Sequence, residues 1–323
     1  MKQTYFLTGA LGCIGAWVVK TVLEQGDTPV VFDLGGDTRR LRDVLSPAQL
    51  ESVVFVQGDV SEYAQVRSAI GESGATRIIH LAGLQVPFCR NDPAAGARVN
   101  VLGTIHMFEA AKAAGIERVV YASSAAVYGP PDDAGAPDES SRCDPTTHYG
   151  VFKRTNEGNA HVYYQDDGLS SVGLRPLTVY GVGRDQGMTS GPTVAMKAAA
   201  LGRPYKISFS GTTDFNFVGD TAAAFVACAE RAPNGAHVFN LHGDSVAVSD
   251  IVQTIQALRP NTSQDISYGG QELPIPPALD GSAIRAALPG LPSTSLEDGI
   301  RSTVERFELL AAEERLDTRD LDL

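Results

Sequence analysis

Tyr149 and Lys153 stand one helical turn apart in the run Tyr149-Gly150-Val151-Phe152-Lys153. A phenol beside an ammonium can take a proton: a cation within a few ångströms favours the phenolate and lowers a pKa that is about 10 unperturbed. The spacing predicts that Lys153 makes Tyr149 a usable base near neutral pH. Two residues sharing a helix face also occur with no chemistry attached, so the segments that position them have to decide.

The first such segment is Thr8-Gly9-Ala10-Leu11-Gly12-Cys13-Ile14-Gly15, directly after the apolar run Thr4-Tyr5-Phe6-Leu7. It reads as strand, glycine turn, helix. Gly9 permits the tight turn, Gly12 a close approach of backbone to a pyrophosphate, and Gly15 tight helix-on-strand packing, with phosphate oxygens meeting free N–H groups of the helix. Asp33 ends the second apolar run, Val30-Val31-Phe32, where a carboxylate can hydrogen-bond the ribose hydroxyls of an adenosine. The same carboxylate repels a 2′-phosphate, so the expected cofactor is NAD rather than NADP. Arg39 and Arg40 lie close enough in sequence to offset part of that repulsion.

These residues together resemble the extended short-chain dehydrogenases/reductases, the NAD-dependent epimerase/dehydratase family, which includes the UDP-galactose 4-epimerases. The resemblance runs from the first strand to about Asp220 and implies roles by position. Asp59-Val60 corresponds to the adenine contact, and His80-Leu81-Ala82-Gly83 to the fourth strand end beside the cofactor. Asn100, in an Asn-x-x-Gly-Thr pattern, is expected to brace the active-site backbone. Ser123-Ser124-Ala125-Ala126-Val127-Tyr128-Gly129 resembles the fifth-strand motif, in which Ser124 would hydrogen-bond the reacting oxygen of the substrate. The implied catalytic set is Ser124, Tyr149 and Lys153. The implied cofactor set adds Cys13, Ile14, Ser123 and Pro176.

The chain has 323 residues and a net charge of −12, which allows one α/β unit with a smaller lobe. The charge argues against nucleic acid and anionic membrane surfaces, which need a basic footprint, and leaves small-molecule chemistry. Cys13, Cys89, Cys143 and Cys228 are widely spaced and form no C-x-x-C pair, so neither zinc nor a disulfide framework is indicated. A reduced, cytoplasmic enzyme is expected. The apolar stretch to Val22 imitates a secretory signal, but its glycines fall at cofactor-loop spacing and its removal would destroy that loop.

Strand patterns near 3–8, 28–33, 52–57, 77–81, 117–123 and 169–175 alternate with helical ones, predicting a doubly wound parallel sheet, a Rossmann fold, covered on both faces. The expected division assigns 1–180 to NAD binding, with 214–241 returning to it. Residues 181–213 and 242–323 then form the substrate-binding lobe, and the charge-rich end from Glu313 is expected to fray. The helix carrying Tyr149 is expected to pair with a second copy, since a homodimer is what the resemblance implies.

Dehydratases of this family carry Asp-Glu where this chain has Ala125-Ala126, because eliminating water needs an extra acid and base. The related decarboxylases carry Glu at the Ala126 position, and the epimerase-reductases making GDP-fucose carry Cys at the Ala125 position. Transient oxidation with return of the hydride, as in an epimerase, and net oxidation both remain. Relatives acting on nucleotide sugars place an Arg where this chain has Thr213 and an Asn where it has Thr178, and a second Arg falls in a region that here reads Gly269-Gly270-Gln271-Glu272. Without those guanidinium contacts a diphosphate is poorly paired. The expected substrate is therefore a free sugar, sugar acid or similar polyol, met by Ser124, Ala125, Thr178, Thr213 and Arg184. Arg184 either meets a substrate carboxylate or pairs with Asp185. The reading is an NAD-dependent dehydrogenase of a secondary alcohol. The alternatives are an epimerase with tightly bound NAD and a non-catalytic NAD-sensing protein.

Overall fold

The computed structural model describes residues 2–131 and 135–321. In chain order the strands are β1 (Thr4–Thr8), β2 (Thr28–Asp33), β3 (Val54–Gln57), β4 (Arg77–His80), β5 (Arg118–Ala122) and β6 (Ser170–Arg175), then β7 (Thr178–Tyr180), β8 (Tyr205–Ile207), β9 (Thr212–Phe217), β10 (Ala236–Asn240), β11 (Asp244–Ala247) and β12 (Ile266–Tyr268). A seven-stranded sheet runs β10-β6-β5-β4-β1-β2-β3, every pairing parallel. The doubly wound Rossmann architecture expected from the alternation of elements is present.

Successive residues of a strand point to opposite faces, and in β1, β2, β4 and β5 both faces are buried. Tyr5, Leu7, Val31, Ile79 and Val120 enter one apolar cluster, together with the helices Cys13–Glu24 and Val218–Arg231. Phe6, Val30, Phe32, Ile78 and Val119 enter the other, under Tyr63–Ser73 and Gly103–Ala114. This is why the strands read as continuous apolar runs rather than alternating ones. The chain order reverses between β1 and β4, and the crevice at the carboxyl ends of these two strands is where such a sheet takes its ligand.

Two details depart from the sequence reading. β9 does not return to the main sheet. It joins β7 in parallel and β11 antiparallel in a separate three-stranded sheet, while β10 returns beside β6. Residues 178–180 and 214–217 thus share a sheet with 244–247 from the expected lobe. The tail is tied down rather than frayed: Asp317 pairs with Arg39, and Asp320 accepts from Lys197 at 2.7 Å. On the helix His148–Asp167, Asn156 and Glu157 are buried along with Lys153. Among the described residues, no helix is long and apolar enough to cross a membrane.

Candidate active site

The glycine turn closes with the Gly12 N–H donating to the Gly9 carbonyl at 3.0 Å, and the helix starts at Cys13. Gly12 caps that helix without a side chain, leaving the first-turn N–H groups of Cys13, Ile14 and Gly15 as a donor set for phosphate oxygens. Gly9 has φ +66°, and a Cβ there would lie 2.5 Å from the Ala82 nitrogen. Only glycine lets this turn nest against the Leu81-Ala82-Gly83 loop after β4, so the two loops meet at the switch point. Asp33 reaches the same turn, its carboxylate accepting from the Leu11 N–H at 3.2 Å. The backbone donors, the close turn and the half-buried acid fit a dinucleotide. Asp59 serves a local turn, accepting from the Ser61 N–H at 2.8 Å, and Val60 is buried beneath Gly103.

Arg39 and Arg40 are committed elsewhere. Both bind Asp185, at 2.9 and 2.7 Å, and Arg40 also donates to the carbonyls of Leu11 and Gly183. Neither is left to meet a 2′-phosphate, which removes the one sequence feature that weakened the NAD expectation.

Ser124 follows β5 and caps a short 3-10 turn, its hydroxyl accepting from the Ala126 N–H at 3.2 Å, while the Ala125 N–H donates to the Pro176 carbonyl at 3.1 Å. Tyr149 and Lys153 lie in the first turns of the helix His148–Asp167, capped by the Thr147 hydroxyl. The three residues converge, but the electrostatics differ from expectation. The Lys153 ammonium sits 5.5 Å from the Tyr149 ring centroid and donates to the Ala122 carbonyl at 2.6 Å. Burial pushes the Tyr149 phenol up rather than down. Ser124, by hydrogen bond, and Arg184, by its charge, pull it only part of the way back. The prediction that Lys153 lowers Tyr149 is therefore corrected: a buried phenol loses more from desolvation than it gains from an ammonium turned to a backbone carbonyl. Lys153 itself is pushed down to about 8 by the same burial.

Asn100 lies in a π-helical turn, Arg98–Leu102, the kind of local widening that often marks functional sites. Its amide closes on both backbone groups of Leu84, accepting at 2.6 Å and donating at 2.9 Å. It braces the loop after β4. His80 is buried between the Thr8 and Thr104 hydroxyls, and burial drives its pKa down to about 3, so it is a neutral structural imidazole.

A buried network beneath Ser124 was not anticipated from the sequence. Glu157 accepts from the Ser123 hydroxyl at 2.6 Å and from Arg175 through both carboxylate oxygens at 2.7 Å. Arg175 also donates to the Tyr128 hydroxyl at 2.7 Å, and that hydroxyl donates to Asn240 at 2.7 Å. Ser123, expected among the cofactor contacts, thus turns its hydroxyl into the protein. One signal was available: Glu157 lies one turn beyond Lys153 on the same helix face, and a carboxylate there needs a buried partner.

The family model for the NAD dependent epimerase/dehydratase family matches residues 5–241. The chain belongs to that family. NAD is the cofactor this membership assigns. A UDP-glucose 4-epimerase of Mycolicibacterium smegmatis is 31% identical over 316 residues, covering 93% of this chain and 97% of that protein. Among solved structures, MoeE5 in complex with UDP-glucose and NAD is 27% identical with a TM-score of 0.79, covering 95% of this chain and 99% of that one. The Thermus thermophilus UDP-glucose 4-epimerase with NAD shares the fold at 24% identity and a TM-score of 0.81, covering 94% and 99%.

Within this family frame, the expected substrate positions divide. Thr178 and Thr213 are buried, and their hydroxyls hydrogen-bond each other at 2.6 Å. They come together, but as a mutual pair between β7 and β9 rather than as groups offered to a ligand. Ala125 is also buried, packed with Val127, Tyr128 and Leu279. Arg184 does not pair with Asp185, whose oxygens Arg39 and Arg40 occupy. It donates to the Thr189 hydroxyl at 3.1 Å, and its Nε is buried with no partner among the described residues.

Proposed function

We propose that this member of the family oxidises a secondary alcohol of a free sugar, sugar acid or related polyol, with 181–213 and 242–323 forming most of the substrate side. The observation that carries the reading is the convergence of Ser124, Tyr149 and Lys153 at the carboxyl end of β5, next to the glycine turn. NAD, when bound, supplies the hydride acceptor. Ser124 orients the alcohol oxygen. Tyr149 takes its proton, and because burial raises this phenol, the oxidation speeds up as pH rises. Lys153, held by the Ala122 carbonyl, brings positive charge to the site without neutralising a carboxylate. The mutual bond of Thr178 and Thr213 leaves no cation at these two positions for a diphosphate, which favours an unphosphorylated substrate.

A second reading is favoured by the nearly full-length similarity to a UDP-glucose 4-epimerase. In it the ketone stays in the site and is reduced on its other face, with Tyr149 returning the proton. The two readings part in one assay. Purified protein with added NAD is offered free sugars, uronic and aldonic acids, and UDP-, GDP- and dTDP-sugars. Accumulating NADH with an unphosphorylated substrate supports net oxidation. Epimer formed from a nucleotide sugar, without NADH, rules it out in favour of the epimerase.

A further inference from the structure

Arg184 lies in a strap, residues 181–190, that is fixed at several points. The Trp17 indole donates to the Val182 carbonyl at 2.9 Å, Arg40 holds the Gly183 carbonyl at 3.1 Å, and Asp185 is gripped by Arg39 and Arg40. Gly183 rests over the start of the cofactor helix, where a Cβ would lie 3.7 Å from the Cys13 Cα. Gly187, at φ +103°, folds the strap back so closely that a Cβ would lie 3.1 Å from Arg184 Nη2 and 2.6 Å from Gln85 Oε1. Arg184, Gln85 and Thr189 are thereby gathered around the Gly187 turn, and the Arg184 charge is felt at Tyr149 and at Cys13.

A guanidinium in this position needs an anion. Among the described residues Arg184 has no carboxylate partner, and its Nε, on the edge shared with Nη2, is buried and unbonded. Burying a hydrogen-bonding group unpaired costs about 1–3 kcal/mol, more for a charged one. That edge is the one that takes a carboxylate with two parallel bonds. We propose that Arg184, with Gln85 and Thr189 beside it, is the subsite that binds a carboxylate of the substrate, so that among sugars the enzyme selects the acids. The proposal rests on the reading of the site as one for an unphosphorylated sugar or sugar acid. Because the strap also lies over the cofactor turn, the competing source of the anion is the cofactor's own diphosphate, and the test separates the two.

The enzyme–NADH complex is titrated with matched pairs, galacturonate and galactose, glucuronate and glucose, gluconate and glucitol, following nicotinamide fluorescence. A charge-assisted pair predicts that at least one acid binds about 10- to 100-fold more tightly than its neutral partner. Arg184→Met should abolish that preference while leaving the neutral partner and NADH within about threefold of the native values. Gln85→Met, a second variant that does not remove the guanidinium, should weaken the acid alone by a few-fold. Equal binding of every acid and its partner, failure of every acid to bind, a preference that survives Arg184→Met, or a loss of NADH affinity matching the loss of acid affinity each overturns the assignment. If Arg184→Met does not fold, unchanged acid binding in Gln85→Met overturns it. Turnover is read separately: acid selectivity that vanishes in the variant, with no NADH made from NAD, would refute the dehydrogenase reading and leave the carboxylate subsite standing.

Discussion

Replacing Lys153 with Met should make the cofactor-free protein resist unfolding better at neutral pH while removing its activity. Lys153 is 5% exposed, and burial takes its pKa from an ordinary 10.5 to about 8. At about 1.4 kcal/mol per pH unit, holding the charged form inside the fold costs roughly 3 kcal/mol. Because the folded value lies below the unfolded one, the unfolded chain binds more protons between pH 8 and 10.5. Native stability therefore rises across that window, and the full penalty applies below it. Met keeps the length and packing of the side chain without the charge, but leaves the Ala122 carbonyl without its donor, at about 1–3 kcal/mol. The net gain at pH 7 is small. The pH dependence is not: the stability of Lys153→Met relative to native should fall by roughly 2 kcal/mol between pH 7 and pH 10. Urea unfolding followed by Trp17, the chain's single tryptophan, measures it at both pH values. Parallel stability profiles for the two proteins would refute the reasoning, because they would mean that Lys153 carries no burial penalty.

Tyr149→Phe should lower kcat by about 100- to 10,000-fold with NAD affinity unchanged within about threefold. In the native enzyme, oxidation should keep rising above pH 8, since the phenol is raised by burial. A plateau reached below pH 7 would contradict that. Arg175→Met leaves the Glu157 carboxylate buried and half-paired, and should destabilise by about 3–5 kcal/mol, whereas Glu157→Leu combined with Arg175→Met should cost much less. Equal losses in the single and double variants, by chemical denaturation, would refute the ion-pair account. Asp33→Ser should weaken NAD by about 10-fold without admitting NADP, because Asp185 keeps Arg39 and Arg40 from a 2′-phosphate. Efficient NADP turnover in that variant would show that those arginines are free to move.

What the sequence made legible was chemistry carried by short stretches of backbone. Gly9, Gly12 and Gly15 declare a turn because their spacing is a local requirement. Asp33 is placed by the end of an apolar run, and Tyr149 and Lys153 by one turn of helix. Glu157 and Arg175 were not legible as a pair, because they meet only when the helix His148–Asp167 packs against β6. Thr178 and Thr213 were recognised as departures from a family pattern, but their mutual bond depends on β9 pairing with β7 outside the main sheet. The proton affinity of Tyr149 failed for a related reason. Spacing shows that a cation is near, whereas burial and the direction of the Lys153 ammonium exist only in the fold.

The same distinction explains why Arg184 became informative only in three dimensions. In sequence its nearest acid is its neighbour Asp185, and a surface pair between them would be worth little. In the fold, Asp185 is drawn to Arg39 and Arg40 from a segment some 145 residues away. Asp33 holds the Leu11 N–H, and Arg40 holds the Leu11 carbonyl, so the two successive peptide units that flank Leu11 in the cofactor turn are both fixed. Arg40 then carries that fixation to Gly183 and Asp185 on the strap. The groups that hold the glycine turn therefore also set the position of Arg184 and withdraw its obvious counter-ion. A chain that used Arg39 and Arg40 to bind NADP would release Asp185 to Arg184 and close the proposed carboxylate subsite. Under the proposed reading, cofactor choice and substrate charge are two consequences of where a single aspartate is held.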